Sequence, residues 1–137
     1  MKRIDIIRQK IRQKLNERSD YQEEQYKIRQ AKWQKYYNTP IWEGLRNMKY
    51  SNTPVCECCY KWKGIVQQAE EIHHAQPYGT GINEQQKWEL FTDYTNLVSL
   101  CKNCHKLVHK LMNKYHRIID PRYINIFEYD KNKDIND

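Results

Sequence analysis

Two C-x-x-C pairs, Cys56–Cys59 and Cys101–Cys104, constrain this chain more than any other feature. A two-residue spacer on a tight turn brings both sulfurs of a pair to one point, and two pairs supply the four thiolates of a tetrahedral Zn²⁺ site. Residues 60–100 separate the pairs, well beyond the about 15–20 residues usual between zinc knuckles, so a substantial insert must loop out. Such a staple suits the composition. The 137 residues have room for one modest core, yet only 39% are hydrophobic and the mean hydropathy is −1.07, so metal must supply part of what aliphatic burial does not. The fifth cysteine, Cys58, adjoins Cys59, and either could face the metal. Spacer length favours Cys59 and leaves Cys58 as a small, partly buried thiol.

An odd cysteine count in a chain that opens without a secretory signal predicts a reducing, cytoplasmic setting rather than a disulfide framework. No apolar run approaches the about 18 residues of a spanning helix, which excludes an integral membrane protein. The charge is unevenly placed. Residues 1–50 carry 13 basic and 6 acidic side chains, whereas residues 51–137 carry 11 of each, so the whole formal net charge of +7 belongs to the N-terminal third. That excess predicts a polyanionic partner.

Three regions are expected: a basic helical extension over 1–38, a central domain over 39–118, and a partly disordered tail over 119–137, with Lys131–Asp137 disordered. Ile4, Ile7, Ile11 and Leu15 make a narrow apolar stripe on a first helix, and Tyr21–Tyr37 reads as a second. Thr39-Pro40 predicts a helix start. Gly64-Ile65-Val66 and Glu70–His74 read as the strands of a hairpin. Asn83–Phe91 suits a short helix within the insert. Leu107, Val108, Leu111, Met112 and Tyr115 give an amphipathic helix from Lys102 toward Pro121, where proline stops it.

Four of the five histidines fall in two groups, His73-His74 and His105-x-x-x-His109. Helix residues four apart share a face, so His105 and His109 can present two imidazoles to one ion. A step of one residue turns a helix by about 100°, which lets Cys104 face one metal and His105 another. Adjacent strand residues point to opposite faces, so His73 and His74 suit one ligand and one free base.

Read together, Glu71-Ile72-His73-His74-Ala75-Gln76-Pro77 and Asn96-Leu97-Val98-Ser99-Leu100-Cys101-Lys102-Asn103-Cys104-His105 closely resemble the HNH endonucleases. The flanking Cys56-x-x-Cys59 resembles the zinc-stabilised branch found in phage and mobile elements. The resemblance spans residues 39–115. It implies an α+β, mostly helical fold: a ββα-metal (His-Me finger) core with a hairpin carrying the base, a loop carrying the Asn and a helix carrying ligands, stapled by the four-Cys zinc site and preceded by the basic helical extension. It also implies that the chain hydrolyses DNA phosphodiester bonds. His74 would be the general base, an imidazole whose usual pKa of roughly 6.5 suits proton abstraction near neutral pH. Asn96 would either brace the loop or contact metal, and His105 would ligate the catalytic ion. His73 stands where many relatives have Asp, and His109 matches an extra ligand of the colicin nuclease branch.

Three imidazoles favour Zn²⁺, Ni²⁺ or Mn²⁺ over Mg²⁺, a hard ion that prefers oxygen. Arg8, Arg12, Lys14, Arg29 and Lys32 in the extension, with Lys102 and Lys106 on the ligand helix, are the candidate contacts to double-stranded DNA. The extension could instead dock a second copy of the chain or a packaging protein. The alternative from another class is a zinc-stapled DNA-binding or packaging-partner module without catalysis, although binding alone needs neither His74 nor Asn96. A C-x-x-C redox protein is disfavoured, because no βαβ pattern surrounds either pair.

Overall fold

A computed structural model describes residues 2–131, with side chains for all of these except residues 15–19. The disorder expected from Lys131 to Asp137 therefore falls, past Lys131, outside the described residues, as does the Leu15 side chain. The chain divides into two compact units, Met1–Asn38 and Thr39–Asp137.

The first unit is a single helix, α1 (Arg3–Tyr37), where the sequence suggested two. Nothing between the expected pieces breaks the backbone, because no Pro or Gly occurs before residue 40 and those are the residues that most disfavour a helix interior. Ile4, Ile7 and Ile11 are exposed on it, and Glu23 and Lys27 form an ion pair one turn apart at 3.6 Å.

In the second unit, α2 (Pro40–Asn52) begins where predicted. Thr39 Oγ1 accepts a bond from the Trp42 N–H at 3.2 Å, and Pro40 takes the first turn, where its missing N–H costs nothing. Helix α3 (Glu57–Lys63) follows and ends at Gly64, whose φ of 63° is the left-handed conformation glycine adopts freely. Next come β1 (Glu71–His74), α4 (Glu84–Thr92), β2 (Leu97–Leu100) and α5 (Lys102–Tyr115). Asn83 caps α4 by accepting from the Gln86 N–H at 2.8 Å.

The expected pairing of 64–66 with 70–74 is wrong. β1 pairs antiparallel with β2, Glu71 opposite Leu100 and His74 opposite Leu97. Burial explains the choice. All four residues of β2 are buried, whereas Ile65 and Val66 lie exposed beyond the Gly64 cap. The ββα element is thus assembled across the insert.

Residues opposite one another on paired strands share a face. His73, Val98 and Leu100 therefore look one way, and α5 closes that side with Cys104, Val108 and Leu111 in the core. His116, at φ 51°, ends α5 before Pro121 is reached. The chain then returns rather than trailing away from 119: Ile119, Pro121, Ile126 and Tyr129 are buried. Their spacing has neither helical nor strand period, so it gave no sequence signal. Among the described residues, no helix is long and apolar enough to cross a membrane.

Candidate functional site

Folding brings the four cysteines of the two pairs together. Each of Cys56, Cys59, Cys101 and Cys104 offers its sulfur within 4.8 Å of the others, with Cys59 Sγ 3.5 Å from Cys104 Sγ and 3.9 Å from Cys101 Sγ. Cys56 sits at the N-cap of α3 and accepts the Cys59 N–H at 3.4 Å, while Cys101 occupies the N-cap of α5. The structure groups Cys59, not Cys58, with the other three sulfurs, and Cys58 is fully buried in the core. The thiol protons are in conflict. A bond from Cys104 holds the Cys56 thiol down to about 4, burial pushes Cys59 up to about 12, and donation to Cys56 raises Cys104. Four close thiols cannot all ionise beside one another unless a cation replaces the protons, and four sulfurs are the donor set of a zinc or other thiophilic site.

The histidines form a second cluster. His73 on β1 and His105 and His109 on α5 place ring nitrogens within 4.8 Å of one another. His109 Nε2 lies 3.0 Å from His105 Nε2, and the His73 ring meets both neighbours edge-on, each 5.1 Å away between centroids. His73 Nε2 is buried without a hydrogen-bond partner, an arrangement that costs free energy unless something binds the nitrogen. Burial lowers the His73 pKa to about 2, assisted by repulsion from His105, and burial also lowers His109. Neutral imidazole is the form that binds metal. The three nitrogens therefore fit a divalent ion.

Glu71, which carried no expected role, joins this site. Residues two apart on a strand share a face, so Glu71 lies on the His73 side, where its carboxylate accepts from His105 Nδ1. That bond assigns the proton of His105 to Nδ1 and leaves Nε2 for a metal. Strand alternation could have placed Glu71 on the His73 face, while its bond to His105 depends on how α5 packs there.

His74 points to the other face of β1, into an aromatic cage. Its ring stacks on Phe91 and Trp42 at centroid distances of 4.9 and 5.4 Å and meets Tyr78 edge-on at 5.0 Å. Nε2–H donates to the Phe91 carbonyl at 3.1 Å. Nδ1 then carries the lone pair. Burial draws the His74 pKa down to about 4, against the opposing pull of that carbonyl.

Asn96 lies in the one-turn 3₁₀ helix before β2, and its amide is fully engaged with backbone. Oδ1 accepts the Gln76 N–H at 2.8 Å, and Nδ2 donates to the Gln76 and Leu90 carbonyls at 2.9 and 3.0 Å. It joins the exit of β1 to the end of α4, on either side of His74.

Residues 56–111 match the family model described as HNH endonuclease. That segment is similar to the HNH endonuclease domain. Among curated proteins and solved structures, none matches the chain significantly. The matched HNH segment contains both cysteine pairs, the histidine cluster, His74 and Asn96, so the mostly helical ββα-metal architecture and the family model agree. HNH domains form a nuclease and DNA-binding family. The predicted basic contacts divide between the units: Arg8, Arg12, Lys14, Arg29 and Lys32 are exposed on α1, while Lys102 and Lys106 are exposed on α5, Lys102 sharing charge with Glu70 at 3.9 Å.

Proposed function

We propose that the HNH domain is a metal-dependent endonuclease that hydrolyses DNA phosphodiester bonds, and that Cys56, Cys59, Cys101 and Cys104 hold a structural Zn²⁺. The observation that carries this reading is the pairing of His74 with its neighbour in the chain. One imidazole is neutral, caged and committed through Nε2 to a carbonyl, and the next belongs to a three-nitrogen cluster on the opposite face of the same strand. A binding module gains nothing from either arrangement.

In this reading His74 Nδ1 takes a proton from the attacking water. A base fixed in one tautomer by a carbonyl and in one orientation by stacked rings is already aimed. Asn96 is a positioning residue: by tying Gln76 to Leu90 it holds both chain segments beside His74. His73, His105 and His109 would hold a divalent cation, Zn²⁺, Ni²⁺ or Mn²⁺ before Mg²⁺, and Glu71 orients His105. When bound, such an ion stabilises the charge that develops on the phosphate and leaving oxygen. Lys102 and Lys106 draw phosphate toward α5, and the exposed basic residues of α1 add sequence-independent grip on duplex DNA.

Plasmid nicking tests the proposal. The zinc-loaded protein, given Mn²⁺, Ni²⁺ or Mg²⁺ in turn, should convert supercoiled plasmid to nicked and linear forms, and His74→Ala should not while still binding metal at the histidine cluster. Cleavage by His74→Ala at the wild-type rate would sink the assignment. Tight DNA binding with no cleavage under any metal would leave a zinc-stapled binding module instead.

A further inference from the structure

The second unit holds a cavity that none of the cysteine or histidine ligands lines. Its volume is about 520 Å³, and Pro54, Val55, Tyr60, Lys61, Arg122 and Tyr123 form much of its wall. That size is in the range of small-ligand sites, about 300–1,000 Å³. Its walls are held in place. Arg122 is clamped by Asp120 through Nη2 at 2.8 Å and Nε at 3.1 Å, and its Nη1 donates to the Thr95 carbonyl at 2.7 Å. Asn52, also in the wall, donates to the Tyr94 hydroxyl at 2.9 Å. Both bonds anchor the cavity to the turn that carries Asn96.

Its chemistry is specific. Tyr60 and Tyr123 are 60% and 72% exposed although each stands on ordered backbone, so two aromatic faces are offered to solvent. Lys61 lies over the Tyr123 ring at 5.3 Å and donates to the Arg122 carbonyl, which leaves an ammonium with further protons to give. The other lining charges have partners. Asp120 offsets Arg122 at 2.8 Å, and Glu57 turns inward to Lys49 at 3.2 Å and to the Ser99 N–H at 2.7 Å. Among the described residues, Lys61 is the lining cation for which no carboxylate partner is evident.

We propose that this cavity receives one unpaired nucleobase of the DNA on which the HNH site acts, stacked on Tyr60 or Tyr123, with an adjoining phosphate on Lys61. The inference rests on the endonuclease reading above. Aromatic faces beside a cation suit a base and its phosphate, since every base has a stacking face whatever its sequence. A proline-rich peptide would use the same rings but has no need of the cation. Through Arg122 and Asn52, the cavity wall is hydrogen-bonded to the turn that carries Asn96, the residue that braces the segments beside His74.

The test compares a blunt duplex with the same duplex carrying a single-stranded overhang, bound by the full-length, zinc-loaded chain in a His74→Ala background so that substrate survives. The overhang should tighten binding. Tyr60→Ala with Tyr123→Ala should erase that margin, a loss of roughly 5-fold or more at the measured worth of one base stacked on an aromatic ring. Blunt-duplex affinity should not change, and Tyr123→Phe, which keeps the ring, should keep the margin. Both tyrosines are exposed, so these variants fold. An intact cavity that gains nothing from the overhang, or a double variant that weakens both duplexes equally, overturns the proposal. So does capture of a proline-rich peptide without overhang preference. Plasmid nicking by the chain with native His74 is scored separately: its absence defeats the endonuclease reading, and its presence without an overhang margin defeats only the cavity.

Discussion

Asn96→Asp separates a brace from a metal ligand more sharply than any deletion, because one role predicts a change in Tm and the other a change in metal affinity. The replacement is nearly isosteric, and the new carboxylate still accepts the Gln76 N–H. Its other oxygen faces the Gln76 and Leu90 carbonyls, to which Nδ2 now donates at 2.9 and 3.0 Å. Two hydrogen bonds are lost and two oxygen–oxygen contacts replace them. Leaving a buried acceptor unpaired costs about 1–3 kcal/mol. Both bonds are partly buried, so the low end applies and the pair costs about 2 kcal/mol before repulsion is added. For a domain of this size each kcal/mol moves Tm by roughly 4–8 °C, giving a fall of about 8–16 °C in thermal unfolding of the zinc-loaded protein. Nicking should fall with it, since the segments flanking His74 are released, while divalent-metal affinity at the histidine cluster should hold. A ligating Asn96 would behave otherwise, because carboxylate is the stronger ligand. Tighter metal binding in Asn96→Asp, with an unchanged Tm, would refute the brace.

Three further outcomes follow from the same geometry. Cys59→Ser should lose the tightly bound Zn²⁺ and with it cooperative unfolding, whereas Cys58→Ser should keep one zinc by atomic absorption and pay only about 1–3 kcal/mol for burying a hydroxyl. Glu71→Gln should weaken metal binding at the histidine cluster by about 10–100-fold, the usual effect of removing a group that orients a ligand, read by isothermal titration with the cysteine site already filled. In metal-free histidine sites, burial keeps His73 and His74 neutral down to about 2 and about 4, below the unfolded value of roughly 6.5. The unfolded chain therefore binds protons first, and stability should be complete above pH 6.5 and decline as pH falls toward 4. Urea midpoints that rise over that interval on acidification would contradict the burial of both rings.

The two candidate metal clusters were legible without coordinates because they are written in short spacings. C-x-x-C fixes two sulfurs locally, H-x-x-x-H fixes two imidazoles by helical geometry, and adjacent strand residues must face opposite ways, which separated His73 from His74. Local capping rules likewise placed the start of α2 at Pro40, and the spacing of Leu107, Val108, Leu111, Met112 and Tyr115 placed the helix that begins at Lys102. The strand partner of β1 was not legible. Pairing depends on which segment can be buried on both faces, and Gly64-Ile65-Val66 matches a strand pattern locally but loses to Leu97–Leu100 across the insert.

Four features were decided by tertiary structure alone. The return of Ile119, Pro121, Ile126 and Tyr129 into the core follows from burial at aperiodic positions. The bond from His105 to Glu71, the saturation of the Asn96 amide and the Phe91 carbonyl beneath His74 each join groups distant in sequence. Residue types and their spacing determined which side chains could gather into the two candidate metal clusters and where His74 would face. Long-range packing determined which nitrogen of His74 and of His105 is left free, because a tautomer is set by the partner on the far side of the ring, and the Phe91 carbonyl and Glu71 come from other parts of the chain.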